Sequence, residues 1–409
     1  MSTVFLHIGT AKTGTTAIQR FLPMNREILN RNGYEYPEMP FHFPRIGHGR
    51  NAHFLSLHEL YADKEKWADR WDRGFAVVKE AMKYDRVIMS DEILWAMHVR
   101  EGYLDRMVEG FRKIGADLKI VVYLRRQDEM AESHWNQMVK GKPKLTQGFS
   151  EFVTKGVYAT FPLDYGKGLD TIASYVGKEN IIVRPYEKRQ FVNGSLFADF
   201  LDAVGLELTD EYEFPEHVVN TRLPENVVEI KRLINEVDSY RDKDVPNYFR
   251  EVIRQAYGLE MMKDVPEHKT GRFSDEERRR YMNHFEEGNM YVAREYLHRA
   301  SGVLFSESVG GLAQWKPDGW EMMKDVVRVL AGANVYAYKK NRELEERVKS
   351  LEKQLARQDH TRDKALDEHK AVSQKLRKDL HDIQEQVKEM YNSAIFRTYR
   401  RFRGKKHDA

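Results

Sequence analysis

The stretch from Val4 to Thr16 constrains the fold more than any other: an apolar run, Val4-Phe5-Leu6-His7-Ile8, passes through Gly9-Thr10-Ala11-Lys12-Thr13-Gly14 into Thr15-Thr16 and a helical pattern. A buried strand that turns on two glycines straight into a helix is the opening unit of a parallel α/β sheet. The same turn gathers backbone N–H groups, the unpaired donors and positive dipole end of the helix, a lysine and several hydroxyls, which is the chemistry of an anion cradle. Gly9 and Gly14 keep the G-x-x-x-x-G spacing of a nucleotide triphosphatase loop, but Thr15 stands where that loop has its lysine, and Lys12 lies inside. The displaced lysine argues against ATP or GTP hydrolysis and for a related anionic ligand.

A second motif lies downstream. Lys119-Ile120-Val121-Val122-Tyr123-Leu124 has the pattern of a buried strand, Arg125 follows it, and Ser133 falls in the second turn of a helix expected from Gln127. A guanidinium at a strand end and a hydroxyl on the next helix can grip one phosphate together. A third stretch, Ile181-Ile182-Val183-Arg184-Pro185-Tyr186-Glu187, reads as a late strand, followed by an amphipathic helix over 194–204. Strands are expected near 3–8, 86–90, 117–124 and 181–185. Helices are expected around 15–31 (interrupted by Pro23), 67–84, 101–115, 127–140, 167–176 and 194–204. This alternation predicts a parallel sheet flanked by helices, with ligands at the carboxyl ends of its strands.

The loop and the Arg125-x7-Ser133 pair together resemble the 5′-phosphosulfate and 3′-phosphate motifs of sulfotransferases, which use 3′-phosphoadenosine 5′-phosphosulfate (PAPS). The Lys-Thr-Gly-Thr-Thr form is similar to that of carbohydrate (heparan-type) sulfotransferases, and the resemblance covers about residues 1–305, in a bacterial type of chain. It differs in one respect: Arg125-Arg126-Gln127 lacks the proline that many relatives carry there. The resemblance implies a P-loop-like fold and transfer of a sulfuryl group from PAPS to an acceptor hydroxyl, with a cell-surface or capsular glycan as acceptor and no metal. It implies that Gly9, Thr10, Ala11, Lys12, Thr13, Gly14, Thr15 and Thr16 hold the 5′-phosphate, that Arg125 and Ser133 hold the 3′-phosphate, and that Tyr186 approaches the adenine. A late loop, Lys269, Gly271 and Arg272, is the expected lid over the 3′-phosphate.

The catalytic expectations are Lys12, which neutralises charge on the leaving phosphate, and a general base at the same sheet edge. Val87-Ile88-Met89-Ser90 delivers Asp91 and Glu92 there; Glu92 is the first candidate base, followed by His53 and Glu35. Two other classes share these features: a nucleotide-dependent phosphotransferase or kinase, and a catalytically silent coiled-coil scaffold in glycan synthesis.

Composition bounds the rest. With 67 Lys+Arg against 64 Asp+Glu, the net charge is +3, and no global basic field points to nucleic acid. There is no cysteine, which excludes disulfides, thiol catalysis and Cys-based metal sites. The sequence enters its first strand without a leader pattern and no stretch is long enough to span a membrane, so a cytoplasmic protein is expected, peripheral at most to the inner membrane face. A mean hydropathy of -0.68 is too polar for one globule, and the excess lies at the C-terminus. A sulfotransferase α/β domain is expected over 1–305, with a connecting segment and helix over 306–340. Coiled-coil helix follows over 341–394 and a basic-aromatic tail over 395–409. Leu344, Val348, Leu351 and Leu355 step by 4, 3 and 4, as do Leu376, Leu380, Ile383, Val387, Met390 and Ala394. The two seams are out of phase across a polar stretch near 358–371, which predicts either a stutter in one rod or a hinge that folds the second block back. A homo-oligomer through this coiled coil is expected. The tail places three aromatics, Phe396, Tyr399 and Phe402, among six cations between Arg397 and Lys406, a composition suited to an anionic membrane surface.

Overall fold

The computed structural model describes residues 2–43, 46–47, 49–56, 60, 64–141, 144–155, 161–215, 223–241, 248–261, 270–358 and 363–404. Five parallel strands form one sheet: β1 (Thr3–His7), β2 (Tyr34–Glu35), β3 (Arg86–Ser90), β4 (Asp117–Leu124) and β5 (Ile181–Pro185), in spatial order β2-β3-β1-β4-β5. β1 is central, with His7 opposite Ser90 on one side and Val121 on the other. The chain builds β2 and β3 on one flank of β1 and then β4 and β5 on the other. The connections therefore diverge between β1 and β4, which opens a crevice at their carboxyl ends, the usual ligand position in an open α/β sheet.

Strand alternation sorts the apolar side chains onto two faces. Val4, Leu6, Val87, Met89, Ile120 and Val122 pack with Phe75, Phe111, Tyr165 and Leu169 from helices Lys64–Ala81, Tyr103–Lys113 and Tyr165–Val176. Phe5, Ile88, Val121 and Tyr123 pack on the other face with Ile18, Phe21, Leu22, Phe200 and Leu201 from helices Thr15–Met24 and Leu196–Val204. The result is the α/β class expected, a parallel sheet with helices on both faces. Pro23 sits in the last turn of Thr15–Met24, and the chain restarts at once as Arg26–Arg31. The capping box of Ser274 and Glu277 opens the helix Asp275–Asn283, and a second helix, Glu286–Glu295, follows it.

The chain forms two compact units. The sheet unit comprises 1–137, 147–218 and 268–315; it closes with a small parallel pairing of Thr270–Gly271 with Ala313–Gln314. The second comprises 138–146, 219–267 and 316–409, and its described elements are helices. In it, the helix Gly319–Gln358 packs on Phe249–Met261, close enough at Gly332 that a Cβ would lie 2.6 Å from the Val252 carbonyl oxygen. The helix Asp363–Gly404 then folds back on its predecessor, with Arg377 Nη2 3.1 Å from Glu352 Oε1. Leu344, Val348, Leu351 and Leu355 and, opposite, Leu376, Leu380, Ile383, Val387 and Met390 are half-buried between exposed neighbours. The second block thus lies back along the first, and the two do not form one continuous rod. The side chains of 391–409, the tail aromatics and cations among them, lie outside the described residues, as does Lys269.

Candidate active site

After β1 the backbone is stitched to β4. Ile8 N–H donates to Val121 O (3.0 Å), Tyr123 N–H to Gly9 O (2.7 Å), and both Thr10 N–H and Thr10 Oγ1 to Tyr123 O (2.9 and 3.0 Å). The turn needs its glycines. Gly9 has φ 104° and a Cβ there would fall 2.7 Å from Glu92 O; Gly14 has φ 73° and a Cβ there would meet Leu196 Cδ2 at 2.4 Å. Lys12 itself adopts the left-handed conformation, φ 67°, and Thr13 Oγ1 ties the turn to Thr10 O at 2.5 Å. Among the described residues, nothing accepts from the N–H groups of Ala11, Lys12, Thr13, Gly14, Thr15 or Thr16. The helix that starts at Thr15 has neither a side-chain cap nor an acidic residue in its first turn. Six consecutive donors at a positive helix end, with no internal acceptor, form a cradle for an oxyanion. Thr10, Thr13 and Thr15 are buried beneath it and Thr16 is exposed.

Arg125, at the end of β4, reaches across the crevice. Its Nη1 donates to Lys12 O (2.9 Å), its Nε to Glu129 Oε2 (3.1 Å), and its guanidinium carbon lies 5.6 Å from the Tyr186 ring centre. Tyr186 in turn closes on Gly14, where its hydroxyl would be 3.3 Å from a Cβ. Tyr165 hydroxyl donates to Arg125 O (2.5 Å), which fixes the strand end. Ser133 is half-buried, one helical turn beyond Glu129 on the same face of Gln127–Lys140. Burial and the neighbouring Arg125 charge lower the Lys12 pKa, opposed by Glu92. Burial, with the Lys12 charge adding to it, pushes His134 down to about 4, so the imidazole beside the loop is neutral at neutral pH.

Across from the lysine, Glu92 is gripped from two sides: Gln19 Nε2 donates to Oε2 (2.9 Å) and Arg50 Nη1 lies 3.3 Å from Oε1. Its side chain is 23% exposed, enough to meet a ligand. Asp91 beside it is fully buried, held by Arg50 (2.6 and 3.1 Å) and by His53 Nδ1 (2.7 Å). Burial works against the Asp91 charge, but His53 and Arg50 outweigh it and hold the carboxyl below its ordinary range. His53 is 1% exposed, with Nδ1 committed to Asp91. Glu35 lies at the sheet edge, 3.6 Å from Arg26 Nε.

Of the expected lid, Gly271 and Arg272 are described. The Arg272 guanidinium is packed between Trp135 (4.5 Å) and Trp315 (4.1 Å) and is 8% exposed. Arg272 N–H donates to Glu132 Oε1 (3.0 Å), and Gly271 leaves room for Arg278, which pairs with Asp128 and, at 2.8 Å, with Glu132. In this arrangement Gly271 and Arg272 serve a buried ion network and two indole faces.

Gln19 and Arg50 have no signal of their own in the sequence. Gln19 and Glu92 are 73 residues apart and Arg50 and Asp91 are 41 apart, so only the sheet order brings them together. Glu129 was readable in one respect: it lies four residues after Arg125, the spacing of a helical ion pair. Among the described residues, no group of three or more His, Asp or Glu side chains is placed to hold a metal ion, and no helix is long and apolar enough to cross a membrane.

No protein-family model matches the chain. An uncharacterized protein of Archaeoglobus fulgidus is 30% identical over 192 residues, 46% of this chain and 48% of that protein, so the chain spans about half the length of the curated relative it matches. A solved structure, a sulfotransferase from Alicyclobacillus acidocaldarius, is similar over 59% of this chain and 100% of its own, with 17% identity and a TM-score of 0.35.

Proposed function

We propose that the chain is a PAPS-dependent sulfotransferase acting on a hydroxyl, of a carbohydrate in the favoured case. The observation that carries this reading is the row of six unsatisfied amides from Ala11 to Thr16, with Lys12 inside the turn and Arg125 clamped beside it. The residues fit the donor: the amides and Thr hydroxyls suit its 5′-phosphate, Arg125 and Ser133 its second phosphate, and Tyr186 stands beside both. The acceptor oxygen attacks sulfur, the bond from sulfur to the phosphate oxygen breaks, and that oxygen keeps the electron pair. Glu92 takes the hydroxyl proton; Lys12 and the amides meet the negative charge that grows on the departing phosphate. We place the enzyme in the cytoplasm, with its C-terminal helices mediating self-association and its basic-aromatic tail on anionic lipid.

Calorimetry with 3′-phosphoadenosine 5′-phosphate (PAP), AMP and ADP tests the reading. PAP should bind far more tightly than AMP, and Arg125→Ala should remove at least about tenfold of that preference, since charged hydrogen bonds contribute about 1.5–3 kcal/mol each. Equal affinity of the intact protein for PAP and AMP would sink the assignment. A labelled-sulfate transfer screen against glycans then identifies the acceptor.

A further inference from the structure

An arginine side chain carries five N–H donors in a rigid fork, so its engaged edges decide which edge is left for a ligand. On Arg125, Nε donates to Glu129 Oε2 (3.1 Å) and one Nη1 proton to Lys12 O (2.9 Å). Among the described residues nothing takes the other three, two of them on Nη2. Glu129 is itself fixed: its Oε1 lies 3.3 Å from Arg126 Nη2. Arg126 is anchored to Asp128 at 2.7 and 3.1 Å and donates to the carbonyls of Glu307 (3.3 Å) and Ser308 (3.2 Å). A carboxylate so pinned is a fixed stop and not a wandering counter-ion.

We propose that Glu129 is a positioning residue for the Arg125 anion site, holding the Nε edge so that the Nη2 edge is the one offered to a phosphate. The inference rests on Arg125 being the phosphate-binding arginine of the proposed function. It has an electrostatic consequence. The Glu129 charge opposes an incoming phosphate, so the carboxylate trades absolute affinity for a defined geometry, and its value lies in discrimination.

The test uses the full chain and its Glu129→Gln and Glu129→Ala variants, with calorimetric dissociation constants for PAP and AMP and a melting curve for each. The Gln amide oxygen can still accept from Nε. E129Q should therefore keep the PAP-over-AMP ratio of the parent within about twofold, with PAP bound as tightly or more tightly. E129A should lose at least about tenfold of that ratio, because the Nε edge is freed and only the Lys12 carbonyl still holds the fork. A folded E129A that keeps the parental ratio overturns the inference, as does an E129Q that loses as much as E129A. A parent protein without any preference for PAP overturns the phosphate assignment of Arg125 itself, and the inference with it, before any variant is compared.

Discussion

Lys12 is held in a left-handed turn between a cation, Arg125, and an anion, Glu92, and its working charge depends on the balance. In the proposed chemistry its charge matters most as the phosphate leaves, so Lys12→Ala should cut turnover much more than it weakens PAP binding, compared by single-turnover rates and calorimetry. Glu92→Gln keeps the shape that Gln19 and Arg50 grip and removes the proton acceptor; loss of a positioned base costs about 10²–10⁴ in rate with folding and PAP affinity preserved. The same substitution removes the charge that raises the lysine pKa. The alkaline limb of the residual rate should therefore move to lower pH than in the parent. A fully active Glu92→Gln beside an inactive His53→Ala would transfer the role of base to His53, and the buried Asp91–His53 pair would then have to open toward the crevice.

The strand–loop–helix elements are the part of the structure most legible in the sequence, because a buried strand has a sustained apolar pattern and the loop must have glycine where φ is positive, at Gly9 and Gly14. β2 is not legible: two residues, Tyr34 and Glu35, carry no periodicity, and they join the sheet only because β3 offers an edge. The setting of Arg272 is equally hidden, since Trp135 and Trp315 come from segments far apart in the chain. Even the capping box of Ser274 and Glu277, plain in sequence, does not reveal that its helix carries Arg278 into a buried network with Asp128 and Glu132. Arg278→Met should therefore destabilise the sheet unit by about 3–5 kcal/mol in denaturant titrations, because two buried carboxylates lose their shared cation. Burial opposes the Asp128 charge, but Arg126 and Arg278 lower its pKa below the ordinary carboxylate value. Its share of stability is thus fully present above about pH 4 and is lost as pH falls through the folded-state value, a loss that Arg278→Met should blunt.

Each compact unit has its own dependence on pH, and in the second unit it comes from a buried lysine. Lys231 on Glu225–Asn235 is fully buried, its amine bonded to Asn235 and lying 4.9 Å from the Tyr240 ring centre and 5.4 Å from that of Phe249. Burial, with the nearby Lys144 charge, lowers its pKa from 10.5 to about 7. Between those values the unfolded chain binds the proton and the folded unit does not, so stability rises with pH from about 7 toward 10.5, and below about 7 the penalty of burying the cation is complete. Lys231→Met keeps the apolar stem among its rings and removes the charge; it should stabilise the second unit at pH 6.5 by an amount on the order of 1 kcal/mol. The gain should shrink as the pH approaches 10. Denaturant titrations of parent and variant at the two pH values measure it, with PAP affinity, which the proposed function assigns to the sheet unit, unchanged. A Lys231→Met protein less stable than its parent at pH 6.5 would show that the amine's bond to Asn235 and its two ring contacts outweigh the cost of its burial.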